Sequence, residues 1–187
     1  MTVALFGGSF NPVHAAHQLV ALYVLETQPV DALWLVPTYA HPFGKPLETY
    51  EHRVAMCELA AVALGPRVRV SRAEEDLALR PGFISSRTLD LIEMLAEAHP
   101  GETFRLVIGS DILAETDKWH RWDAVAAAAP PIVIARPGFP GGQGVEMPDI
   151  SATHVRELLG RRDQAAEALV PRAVMGYIAR HGLYDRA

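Results

Sequence analysis

Five short apolar runs recur along the chain, TVALF from Thr2, LWLVP from Leu33, RVRVS from Arg67, FRLVI from Phe104 and PIVIA from Pro131. Between them lie stretches whose apolar residues repeat every three or four positions, which predicts helices over roughly His14 to Glu26, Tyr50 to Leu64, Ser85 to Ala98 and Arg121 to Ala128. The alternation of β-type runs with amphipathic helices predicts an α/β fold: a parallel sheet covered by helices on both faces. The pattern changes after the fifth run. RPGFPGGQG, Arg136 to Gly144, is too rich in proline and glycine for a buried element and reads as a loop. Two helical periods follow, ISATHVRELLG and PRAVMGYIARHGLY, each with a glycine suited to the C-terminal cap. The expectation is one domain, 1–187, with a small helical C-terminal region at about 151–187.

Composition narrows the function classes. A chain of 187 residues, 50% hydrophobic and 21% charged, can bury a core of ordinary size. Its net charge of −5 supplies no broad basic field for a polynucleotide backbone, so no nucleic-acid polymer is expected as a partner. The apolar spans are too short for a membrane, and the N-terminus opens on a strand with no signal-like leader, which points to the cytoplasm. Cys57, the sole cysteine, lies in a helical run and reads as core. The sequence leaves self-association into a homo-oligomer open.

The first strand runs into GGSFNPVHAAH, Gly7 to His17. Gly7 and Gly8 permit a tight turn and close backbone approach to a ligand, and Pro12 suits a helix start. A helix beginning there points amide donors and its positive end at the loop, which makes an anion site. His14 and His17, three apart, would share one helix face near that end and reach a phosphate. No third glycine completes a dinucleotide-binding turn, and no Gly-Lys-Ser/Thr completes an ATPase phosphate loop. As a metal pair the histidines lack the Cys, His or carboxylate cluster that would finish a shell. Further on, Ser151 in ISATHVR is a suitable N-cap.

Together these segments resemble the signatures of the nucleotidyltransferase superfamily. GGSFNPVHAAH is similar to Gly-x-Phe-Asx-Pro-x-His-x-Gly-His, with Ser9, Phe10, Asn11, Pro12, His14 and His17 in place and Ala16 where glycine is usual. ISATHVR resembles Ile-Ser-Ser-Thr-x-x-Arg through Ser151, Thr153 and Arg156, with Ala152 replacing a serine. Within the superfamily the chain resembles bacterial nicotinate-nucleotide adenylyltransferases along nearly its whole length. The matching segments are VPTYAHPFGKP (Val36 to Pro46), SSRTLD (Ser85 to Asp90), IGSDIL (ending at Leu113), WHRW (Trp119 to Trp122), ARPGF and VPRAVMGYIARHGLY. Phe43 replaces a histidine in the first of these and Arg87 a tyrosine in the second.

The resemblance implies a Rossmann-like sheet and an enzyme of NAD biosynthesis that joins ATP to nicotinate mononucleotide. Its catalytic residues would be His14, His17, Lys45 and Arg156. ATP would also meet Gly7, Gly8, Ser9, Phe10, Gly109, Asp111, Ser151 and Thr153, and the mononucleotide would meet Thr38, Lys45, Thr88, Trp119 and His120. Mg²⁺ would arrive with the ATP phosphates and keep most of its own water, with no metal site built by the protein. The alternatives are another phosphate acceptor, nicotinamide mononucleotide or phosphopantetheine, and a non-catalytic sensor of adenine nucleotides.

Overall fold

The computed structural model describes residues 1–40 and 47–185. Five strands, β1 (Thr2–Gly8), β2 (Ala32–Pro37), β3 (Val68–Val70), β4 (Thr103–Gly109) and β5 (Pro131–Ile134), form one all-parallel sheet in the order β3-β2-β1-β4-β5. The helices are α1 (Ala15–Thr27), α2 (Tyr50–Val62), α3 (Ala73–Ala78), α4 (Thr88–Ala98), α5 (Ser110–Leu113), α6 (Trp122–Ala128), α7 (Ala152–Gly160) and α8 (Arg172–His181).

Alternate side chains of β1, β2, β4 and β5 divide between two cores, as a sheet covered on both sides requires, while the edge strand β3 gives Val68 and Val70 to one core and leaves Arg69 exposed. Ala4, Leu33, Leu35, Val107, Ile132 and Ile134 pack with α1, α2, α7 and α8. Val3, Leu5, Trp34, Val36, Phe104, Leu106 and Ile108 pack with α3, α4 and α6. Val155, Leu158 and Leu159 of α7 and Val174 and Ile178 of α8 thus belong to the same core as the sheet. Cys57 is fully buried there, and burial pushes its thiol pKa up and out of the reactive range.

Several expected boundaries move. His14 has extended backbone (φ −138°) and is the N-cap of α1 rather than its first residue. Arg121 is left-handed (φ 54°), so α6 starts one residue later than expected, and α4 begins at Thr88 rather than Ser85. Gly182 caps α8 at φ 59° as anticipated, whereas Gly160 is the last residue of α7 and Arg161 is the cap. Short α3, α5 and the 3₁₀ turns Thr116–Lys118 and Gln164–Ala168 were not expected, because one or two turns carry too little periodicity to read.

The sheet opens where a site is wanted. β1 and β4 pair only from Thr2↔Thr103 to Leu5↔Leu106. Beyond that, β1 stays with β2 as far as Gly8↔Pro37 while β4 stays with β5 as far as Gly109↔Ile134. The two central strands therefore part at their carboxyl ends, at the point where the strand order changes direction. Ligands of open α/β sheets bind in such a crevice. Among the described residues no helix is long and apolar enough to cross a membrane.

Candidate active site

A cavity of about 350 Å³ fills this split. Its walls are the ends of β1 and β4 with Ser9, Val36, Thr38, Glu74, Thr88, Leu91, Ile92, Ile112 and Trp119. It brings Gly7, Gly8, Ser9, Thr38, Thr88, Gly109 and Trp119, drawn from far apart in the sequence, around one space. Trp119 is half-buried and meets Trp122 edge to face at 5.5 Å, which holds its ring in place. His120 is exposed and does not line this cavity. Lys45, with Pro42 and Phe43, lies outside the described residues.

The loop after β1 continues from the strand end that lines the cavity. Phe10 adopts φ 45°, a left-handed conformation uncommon for a residue with a side chain. Its ring is 2% exposed and packs at 4.9 Å from the His17 ring and 5.7 Å from Phe6. A Cβ on Gly8 would meet that ring at 3.3 Å, so glycine leaves room for it. Asn11 is buried, and its Oδ1 accepts from the Glu48 amide (3.2 Å) and the Tyr184 hydroxyl (2.8 Å).

The two histidines stack, with centroids 3.7 Å apart and planes inclined by 28°. The His14 amide donates to Nδ1 of His17 (3.1 Å), so a neutral His17 carries its proton on Nε2 and offers a donor there. Burial, aided by the charge of Arg136, lowers the His14 pKa to about 4. Burial, then His14 and Arg136, holds His17 well below its ordinary value. Both rings are neutral at pH 7 and act as hydrogen-bonding groups rather than cations. Nδ1 of His14 is buried without a hydrogen-bond partner among the described residues, a polar atom left open at the start of a helix.

Arg156 joins the two signature segments across 145 residues: Nη1 donates to the Asn11 carbonyl (2.8 Å) and Nη2 to Thr153 Oγ1 (3.2 Å). Ser151 is an N-cap whose hydroxyl accepts the His154 amide (3.2 Å), so its side chain is already used. On the β4 side, a Cβ on Gly109 would lie 2.2 Å from Asp111 Oδ1 and 3.1 Å from Arg136 Cγ. Glycine there leaves room for the Asp111 and Arg136 side chains beside the strand end.

Three charged residues at or near the site were not picked out by sequence. Arg136, at the end of β5, acts electrostatically on both histidines; its position just after an apolar run was the available signal. Glu74 lines the cavity and is pushed toward neutrality by burial. Arg53 bonds the Ser9 and Glu48 carbonyls from behind, a relation that sequence spacing does not reveal.

A parallel sheet split at its central strands, a first strand ending in two glycines ahead of paired histidines, and an arginine reaching back from a second helix start define a nucleotidyltransferase. The cytidylyltransferase-like family model matches residues 5–158. A chain from Anaeromyxobacter dehalogenans named "probable nicotinate-nucleotide adenylyltransferase" is 47% identical over 97% of this chain and 96% of its own length. A Myxococcus xanthus chain of the same name is 40% identical, over 97% and 94%. Among solved structures, the Plasmodium falciparum nicotinic acid mononucleotide adenylyltransferase in complex with NaAD superposes with TM-score 0.80 at 20% identity, over 100% of this chain and 98% of that one. The fold is thus shared far beyond close relatives. The chain belongs to the nicotinate-nucleotide adenylyltransferase family.

Proposed function

We propose that the protein transfers the adenylyl group of ATP to nicotinate mononucleotide, releasing pyrophosphate and forming the nicotinate dinucleotide from which NAD is made. The observation that carries this reading is a cavity lined both by an aromatic platform, Trp119, and by Gly7, Gly8 and Ser9 at the end of β1. A mononucleotide has a ring at one end and a phosphate at the other, with ribose between. With its ring on Trp119 its phosphate would lie toward Gly7 to Ser9, with Thr38 and Thr88 beside the ribose.

An oxygen of that phosphate attacks the α-phosphorus of ATP in line; the α–β bridging bond breaks and pyrophosphate departs with the electron pair. No covalent enzyme intermediate is needed, so the protein positions the reactants and offsets charge. His17, neutral and presenting Nε2–H, donates to the α-phosphate as charge gathers there. His14, Arg156, Lys45 and the amides of Ser9 and Phe10 serve the departing phosphates. Ser151 and Thr153 start the helix that faces them, and Gly109 and Asp111 bound the nucleotide on the β4 side.

This donor set of imidazoles, guanidinium and amides suits phosphate oxygens, and no group of three or more His, Cys, Asp or Glu converges as a metal cage among the described residues. Mg²⁺ arriving with ATP would keep most of its own water, and when bound it supplies neutralisation of the phosphate charge.

The acid is preferred to the amide as acceptor. The Trp119 amide is spent on the Thr116 carbonyl (3.1 Å), which leaves the amides of His120 and Arg121 in the same turn without acceptors among the described residues. Donors there suit a carboxylate, whereas a carboxamide would set its NH₂ against them. Pyrophosphate release is to be measured with ATP, Mg²⁺ and, in turn, nicotinate mononucleotide, nicotinamide mononucleotide and phosphopantetheine. The highest kcat/KM for the first supports the assignment; equal or higher values for either other acceptor refute it.

A further inference from the structure

Arg53 lies on α2, is 1% exposed, and forms no ion pair with a carboxylate among the described residues. A buried guanidinium without a bonded counter-ion is costly and needs a use. Its donors go to main-chain carbonyls: Nη1 to Ser9 O (2.9 Å) and Nε to Glu48 O (3.0 Å). Ser9 O belongs to the same peptide unit as the Phe10 N–H. In a planar trans peptide these two groups point in opposite directions. Drawing the Ser9 oxygen toward Arg53 therefore turns the Phe10 N–H away from it, and that N–H has no acceptor among the described residues. The Asn11 carbonyl is held by Arg156 (2.8 Å), so the residues before and after the left-handed Phe10 have their carbonyls fixed by arginines from different helices.

We propose that Arg53 is a positioning residue for adenylyl transfer: by fixing the Ser9 carbonyl it aims the Phe10 N–H at the phosphate that leaves. The inference rests on the function proposed above. It assigns Arg53 no contact with substrate, and it separates two duties. The loop stays docked through Asn11 Oδ1, bonded to the Glu48 amide and the Tyr184 hydroxyl, while Arg53 sets the direction of one peptide.

Ser9–Phe10 is the only Ser–Phe step in the sequence, so carbonyl-¹³C serine with ¹⁵N-phenylalanine singles out the Phe10 amide in an NMR spectrum. In the wild-type protein, saturating magnesium pyrophosphate should move this resonance downfield. Arg53→Lys keeps the charge but cannot hold two carbonyls in the same fork geometry. In that variant the pyrophosphate-induced shift should fall by more than about half, and kcat should drop roughly tenfold or more with the KM for the mononucleotide changed less than about threefold. Arg53→Met, which fills the space without donors, carries the same readout should the lysine variant not fold. The amide decides. A full shift in a folded variant, or no shift in the wild type, overturns the proposal whatever kcat does, because a merely structural arginine would leave the peptide's response intact. Pyrophosphate binding needs no acceptor, so this result stands apart from any error in naming nicotinate mononucleotide.

Discussion

Replacing His14 with glutamine should flatten the acid side of the stability profile. In the folded, nucleotide-free protein burial holds the His14 pKa at about 4, against 6.5 when exposed. Between those values the unfolded chain binds a proton that the folded chain refuses. Stability is therefore fully present above about pH 6.5, falls as the pH drops, and stops falling below about pH 4, where both states are protonated. At 1.36 kcal/mol per unit the full difference is about 3 kcal/mol, and at pH 4.5 roughly 2.5 kcal/mol of it is already lost. Glutamine does not titrate. Urea unfolding of both proteins at pH 7.5 and pH 4.5, without nucleotide, should show the wild type losing about 2–3 kcal/mol more than His14→Gln over that interval. Groups away from the stacked pair titrate alike in both proteins, so the difference reports on the His14–His17 pair, His17 also being relieved of its neighbour's charge in the variant. Equal losses would show that His14 is not held neutral, and the description of the stacked pair as uncharged donors would fail.

His17→Ala should lower kcat by about 10²-fold or more with a smaller effect on ATP affinity, since a preorganised donor to developing charge acts mainly in the transition state; unchanged kcat in the folded variant would contradict its role. Arg156→Lys keeps the charge but cannot bond Asn11 O and Thr153 Oγ1 as a planar fork, so turnover should fall roughly tenfold, and wild-type kinetics would reduce ISATHVR to an ordinary helix start. Trp119→Ala should raise the KM for the mononucleotide about tenfold or more, in keeping with the 1–3 kcal/mol of a base stacked on an aromatic ring, and should leave the KM for ATP near its original value. A rise shared equally by both substrates would place the ring platform elsewhere.

Most strands were legible because residues on both of their faces are apolar, and a strand such as Leu33 to Val36 buried on both sides can sit only inside a covered sheet; the edge strand β3 instead alternates Val68, exposed Arg69 and Val70. Gly7 and Gly8 were expected to form a tight turn; they instead complete β1 in ordinary strand conformation, and Gly8 leaves room for the Phe10 ring, which its neighbours in sequence did not reveal. What the sequence hid depends on distance. Arg53 meets Ser9 44 residues away, and Tyr184 meets Asn11 173 residues away, both through contacts that no local pattern encodes. Arg136 looked like the start of a loop, although the fold sets its charge beside the histidine pair. His14 was expected within the helix; as N-cap it instead turns its own amide onto His17, a bond that needs extended backbone at that residue.

The most direct test of adenylyl transfer follows the phosphates. Incubation with nicotinate mononucleotide, Mg²⁺ and ATP labelled at either the α- or the γ-phosphate should place the α label in a dinucleotide and the γ label in pyrophosphate, in equal amounts and only when the acceptor is present. Label from the γ-phosphate on the acceptor, release of orthophosphate, or no labelled dinucleotide would contradict the account.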